Sequence, residues 1–147
     1  MLVRLRTLAF LTLALAGWSQ MDGGTLLFAQ SAERDQKNND SATQEGADKD
    51  MEIGRYYIGK RDYTGAITRF KKVVMQYPTS SYVEEALARL TEAYLARGMH
   101  SDAQTAVAVL DRKFPNGRWS IDAKRALEAA GLQPAENDKS WMSVPLR

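Results

Sequence analysis

Between residues 51 and 131 like residues recur at a spacing of 37. Tyr57 pairs with Tyr94, Ala66 with Ala103, Val73 with Leu110, and Pro78 with Pro115. The series continues with Tyr82 and Trp119, Ala86 and Ala123, Leu90 and Leu127. So many matches at one offset mark an internal repeat. A repeat of this length is one supersecondary unit that cannot bury its apolar face alone, so the chain must stack such units against each other.

Each period is expected to fold as two helices. In the first, MEIGRYYIGKR places Ile53, Tyr56 and Tyr57 on one face, and Asp62 can cap the second helix of the pair. Ala66, Ile67, Phe70, Val73, Val74 and Tyr77 then recur at helical spacing until Pro78 stops the helix. The second period repeats the plan with Val83, Ala86, Leu87, Leu90, Ala93 and Tyr94, ended by Gly98. Ser81 and Glu84 have the spacing of a capping box at its start. Ala103, Ala106, Val107, Leu110 and Phe114 form the partner helix, closed by Pro115. A last helix over 119–130, with Trp119, Ala123, Leu127 and Ala130, has no mate. The small residues Ala66 and Ala103 allow two antiparallel helices to approach closely, beside the bulk of Tyr57 and Tyr94. The fold class expected is all-α: two helical hairpins plus a closing helix, forming a short solenoid.

The flanks differ in composition. MLVRLR followed by TLAFLTLALAG has the charge and apolar length of an export signal, so 1–30 is expected to be a signal-like segment, cut after Ala16 or after Ser31. Residues 31–50, SAERDQKNNDSATQEGADKD, hold almost no large apolar side chains and are expected to be a disordered linker. The repeat domain is placed at 51–131, and 132–147, LQPAENDKSWMSVPLR, is expected to be a flexible tail in which Trp141 is a loose aromatic or an anchor.

Several chemistries lack their residues. The chain has no cysteine and one histidine, His100, so disulfides, thiolate sites and the usual zinc sites are not expected, and no metal or cofactor is. His100 lies after Gly98 at a turn, where a solvated or capping role suits it better than that of a base. Glu84 and Glu85 fall in a first helical turn, where the dipole favours them without a catalytic dyad. Gly23 and Gly24 have no following Lys-Ser/Thr and make no phosphate loop. No enzyme is expected. Residues 51–147 carry 15 Lys/Arg against 11 Asp/Glu, a net of +4, but the charges are scattered, so no nucleic-acid partner is expected.

Ala66, Phe70 and Pro78, with Gly54 and Tyr57 before them, resemble the tetratricopeptide repeat; the second copy keeps Tyr94, Gly98, Ala103 and Pro115 but has Thr91 and Val107 where glycine and an aromatic are usual. The string MEIGRYYIGKRDYTGAITRFKKVVMQYPTSSYVEEALARLTEAYLARG, continued in AVLDRKFPNGRW, further resembles the BamD family of outer-membrane assembly lipoproteins, over about residues 50–131. That resemblance implies a periplasmic scaffold at the outer membrane that docks the periplasmic domains of the insertase BamA and other assembly-complex lipoproteins. It also implies that this chain corresponds to the family's docking repeats and lacks those associated with substrate.

In that family LALAG would be followed by the cysteine that takes lipid, and here Trp18 follows. Trp18 is either the trace of a lost acylation site or incidental to an ordinary export signal. In both cases no lipid anchor is expected there, and membrane association is expected to be indirect.

The surface of the first helices is where such solenoids bind ligands. Counting from the matched positions, it would present Arg55, Ile58, Glu85, Glu92, Leu95 and Arg125. Lys60, Arg61, Arg69 and Lys72 form a second basic cluster near the first hairpin. Arg55, Ile58, Arg69, Glu92, Leu95, Arg125 and Trp119 are the candidate partner-binding residues. Four of them have a plainer alternative: solubility for the arginines, core anchoring for Trp119. Two alternatives to the BamD-like function also stand, another periplasmic repeat adaptor of the cell-division coordinator type, and a truncated product without independent function.

Overall fold

Punctuation by Asp62, Gly98 and the two prolines divides the repeat region into helices as the periodicity requires. The computed structural model describes residues 23–136. Its five helices are, in order, α1 (Gly23–Gly59), α2 (Tyr63–Gln76), α3 (Val83–Ala96), α4 (His100–Lys113) and α5 (Arg118–Ala129). No strand occurs among the described residues, and the fold is all-α. The described residues fall into two units, divided between Asn39 and Asp40. In the first, residues 23–39 are helical and those from 33 onward are exposed.

The second unit is the repeat domain. In it α2 packs on α3, α3 on α4, and α5 on both α3 and α4. Its core runs through Met51, Phe70, Val73, Leu87, Leu90, Tyr94, Val107, Leu110 and Leu127, all fully buried or nearly so. Ala66 and Ala103 have no exposure, consistent with close approach of each hairpin's two helices. At the first hairpin the helices come close at Gly54, where an added Cβ would lie 2.5 Å from Phe70 Cε1. Asp62 caps α2 as expected, its Oδ1 accepting from the Gly65 amide at 3.0 Å.

Four expectations require correction. Residues 31–50 are not a disordered linker but helical within α1, and the repeat domain begins near Asp40 rather than at 51. The buried positions there are Ala47, Asp50, Met51 and Gly54, spaced as one helical stripe. Two of these are small and one is charged, so composition conceals the stripe. At Gly46 an added Cβ would stand 2.9 Å from the Tyr77 ring. Second, Tyr56 does not join the core but is 60% exposed, because the stripe runs through Met51 and Gly54 and turns Tyr57 and Ile58, not Tyr56, toward the neighbouring helices.

Third, Ser81 and Glu84 form no capping box. The residue preceding α3 is Tyr82, without a side-chain cap bond. Ser80 Oγ accepts from the Tyr82 amide at 3.2 Å. Gln44, from α1, accepts at Oε1 from the Ser81 amide and the Ser80 hydroxyl, both at 3.2 Å, and donates from Nε2 to Ser81 Oγ at 2.9 Å. Glu84 turns away to α5, where its Oε1 accepts from the amides of Trp119 at 3.0 Å and Ser120 at 3.2 Å.

The segment after α5 also departs from a free tail over its described part. Leu132 packs against the core. Gln104 donates from Nε2 to the Gln133 carbonyl at 2.7 Å and accepts at its own carbonyl from the Ala135 amide at 3.2 Å. The remainder of the expected tail, with Trp141, lies outside the described residues, as do residues 1–22 of the export segment and Trp18.

Candidate docking surface

The first helix of each repeat supplies a lattice of charged side chains that crosses from α1 to α3 and on to α5. Arg55 in α1 meets Glu85 in α3 as a fork on a fork, Nε to Oε1 at 2.9 Å and Nη2 to Oε2 at 2.6 Å. Bidentate charge-assisted pairing is the strongest form of such contact and fixes orientation as well. The Glu85 bond holds the Arg55 guanidinium above its ordinary pKa. One turn further along α3, Arg89 approaches Glu85 with Nε at 3.7 Å from Oε1 and pairs with Glu92 at 2.9 Å.

Aromatic rings are built into the same lattice. The Arg55 guanidinium lies 5.5 Å from the centre of the Tyr82 ring. The Tyr82 hydroxyl donates to Asp48 at 2.7 Å, and this bond pushes its pKa up. In the next repeat Arg89 stacks over Trp119 at 5.1 Å, with Arg118 at 5.7 Å from the same ring. Tyr82 and Trp119 stand one repeat period apart, so each ring is covered by an arginine at the equivalent junction. Trp119 is partly buried against the core, which places it as an anchor of the α3–α5 junction.

The candidate residues therefore separate. Arg55, Glu85 and Glu92 come together, but as partners of one another through Arg89, and the patch is close to neutral. Ile58 and Leu95 are half-buried and packed against the core. Arg69 lies elsewhere: it pairs with Asp50 at 3.1 Å, alongside Lys72 at 2.7 Å from the same carboxylate. Asp50 is 3% exposed, so two cations from α2 neutralise one buried carboxylate on α1. The Asp50 hydrogen bond raises the pKa of Lys72. Arg125 stands apart on α5, its side chain 75% exposed and 3.5 Å from Asp122.

Sequence reasoning missed Gln44, Asp48, Asp50 and Arg89, which tie the helices together. Asp48 and Asp50 lie in a stretch that composition assigns to a linker. Among the described residues no group of three or more His, Asp or Glu is placed to hold a metal. No helix among them is long and apolar enough to cross a membrane.

Stacked helical hairpins, cross-braced by ion pairs and presenting a continuous surface, define the class as a helical-repeat interaction protein. Comparison with known proteins then narrows the class to a family. The profile of the outer membrane lipoprotein family YfiO matches residues 36–110, and the chain belongs to that family. The outer membrane protein assembly factor BamD of Caulobacter vibrioides is 46% identical over 89 residues, which is 60% of this chain and 29% of that protein. The BamD of Rickettsia prowazekii is 39% identical over 82 residues, 56% of this chain and 33% of that relative. For Neisseria meningitidis serogroup A the figure is 36% over 74 residues, 50% of this chain and 28% of that protein. The chain thus spans about a third or less of the length of these relatives. No solved structure matches it significantly.

Proposed function

We propose that the chain is a non-enzymatic scaffold in outer-membrane β-barrel assembly, acting in the periplasm and docking the periplasmic domains of the insertase BamA. The observation that carries this reading is the likeness to the BamD assembly factors, together with a family profile that matches residues 36–110. Cross-bracing supports it further. Ion pairs joining α1 to α3 and a carboxylate joining α3 to α5 hold the exposed surface in one arrangement, which spares a partner the cost of ordering it.

The experiment is a binding titration of the folded chain against purified BamA periplasmic domains. Binding is expected to weaken from low to physiological salt, since the Debye length falls from about 30 Å at 0.01 M to about 8 Å at 0.15 M. Arg125→Glu tests the exposed α5 surface without breaking a described bond across helices, because among the described residues Arg125 pairs only within its own helix. Arg55→Glu is the poorer probe, since it also breaks the bidentate bond to Glu85. A folded chain that forms no complex refutes the docking reading.

A further inference from the structure

The ends of α1, α3 and α5 are closed in the same way. A residue in the left-handed conformation stands after the last turn: Arg61 at φ 58°, Gly98 at 68° and Gly131 at 73°. The amides of these three donate to the carbonyls of Ile58, Leu95 and Glu128, and the next amides reach back to Tyr57, Tyr94 and Leu127. This closure is the Schellman motif, whose left-handed position is usually glycine. Gly98 stands one repeat period after Arg61. Only glycine takes that conformation without strain, since a Cβ crowds the backbone there. The first repeat therefore keeps an arginine where the fold itself favours glycine.

Among the described residues no side-chain contact of Arg61 offsets that strain. The Arg61 guanidinium has no hydrogen bond or ion pair among the described residues. Strain that the surrounding structure maintains points toward use of the side chain. The neighbours suggest what that use is. Lys60 precedes it, its ammonium 5.6 Å from the centre of the exposed Tyr56 ring. Arg97, at the end of α3, donates from Nη1 to Thr64 Oγ1 at 2.9 Å, which brings it beside the first turn of α2. Lys60, Arg61 and Arg97 are all exposed at this one end of the hairpin. Of the nearby carboxylates, Asp62 is engaged in capping α2 and Asp102 lies in the first turn of α4.

We propose that Lys60, Arg61 and Arg97 form an anion-binding edge for a carboxylate-rich segment of a protein partner, with Arg61 at its centre. Two guanidinium forks match carboxylates bidentately. Among the described residues the large exposed apolar side chains at this end are Tyr56 and Met99, too little for insertion into a lipid interface. The proposal rests on the scaffold reading only in taking the partner to be a protein.

The test is fluorescence anisotropy of a labelled decaglutamate peptide with the full chain at low ionic strength, together with thermal melts. Arg61→Gly is expected to weaken peptide binding about three- to tenfold while raising Tm by about 4 °C through relief of strain. Lys49→Gln, which removes one exposed charge elsewhere, is expected to leave binding near that of the parent. Equal binding by Arg61→Gly and the parent overturns the proposal, as does an equal loss in Lys49→Gln, which indicates diffuse charge. A fall in Tm for Arg61→Gly overturns the strain argument. Arg61-dependent sedimentation with phosphatidylglycerol-containing vesicles, without peptide binding, overturns the choice of partner. Because the peptide assay contains no BamA, failure to bind BamA leaves its outcome unaffected.

Discussion

Replacing Glu84 with alanine removes the cap of a helix to which Glu84 does not belong. Its Oε1 accepts from two amides, Trp119 at 3.0 Å and Ser120 at 3.2 Å, in the first turn of α5. These are among the four amides that a helix start leaves without internal partners. Loss of an amino-terminal cap costs about 0.5–2 kcal/mol, and loss of a carboxylate at the positive end of the dipole about 0.3–1 kcal/mol. Both amides are part-buried, so water replaces the carboxylate incompletely, and the expected total is about 2 kcal/mol. Glu84→Gln keeps an acceptor and loses the charge, so about 1 kcal/mol is expected. Gly117 gives an independent check, because a Cβ there would run into Glu84 Oε1 and displace the cap. Glu84→Ala and Gly117→Ala therefore damage one interaction, and the double variant should cost less than the sum of the singles. Urea unfolding followed by circular dichroism measures all four variants against the parent. A loss below about 0.5 kcal/mol for Glu84→Ala, or strict additivity of the pair, refutes the capping argument.

Two further outcomes concern buried groups. Asp50→Ala removes the carboxylate shared by Arg69 and Lys72, and since both cations then reach water, a loss of about 1–2 kcal/mol is expected in urea unfolding; Asp50→Asn, which keeps the shape, should lose less. Burial, with Asp102 nearby, raises the Tyr94 phenol well above its ordinary value of 10.0. A group held protonated in the fold stabilises fully below its unfolded pKa, and that stability is lost as pH rises past it. Urea midpoints should therefore fall from about pH 10 upward, and Tyr94→Phe should flatten that fall.

The repeat, the hairpin boundaries and the all-α class were legible because they rest on local signals: a fixed offset, apolar residues at helical spacing, and stops at proline and glycine. The amino-terminal half of the first repeat was not, because Ala47, Asp50 and Gly54 bury a face without contributing large apolar side chains. Phase was misjudged at Tyr56 for a related reason, since the buried stripe runs through Met51 and Gly54 and leaves the aromatic outside it. At the candidate surface the residue types were found but not their state. Arg55 and Arg69 looked available to a partner because Glu85 and Asp50 lie 30 and 19 residues away, and no local pattern announces such pairs. Glu84 shows the same limit from the other side. Its spacing from Ser81 satisfied a local rule, and a non-local use prevailed.

Two side chains that reach forward, one to the turn before α3 and one to the first turn of α5, also give the domain a direction. Gln44 on α1 holds the start of α3, and Glu84 on α3 holds the start of α5. Each first helix is thus primed by the one before it, and nothing equivalent runs backward among the described residues. One period beyond Glu84 stands Ile121, half exposed and without a polar group to offer. Assembly is therefore expected to advance from the amino-terminal helix toward α5, although repeat arrays in general can nucleate at any unit. Damage to α1 should then spread forward and loosen α3 and α5 in turn, whereas damage to α5 should leave α1 and α3 standing.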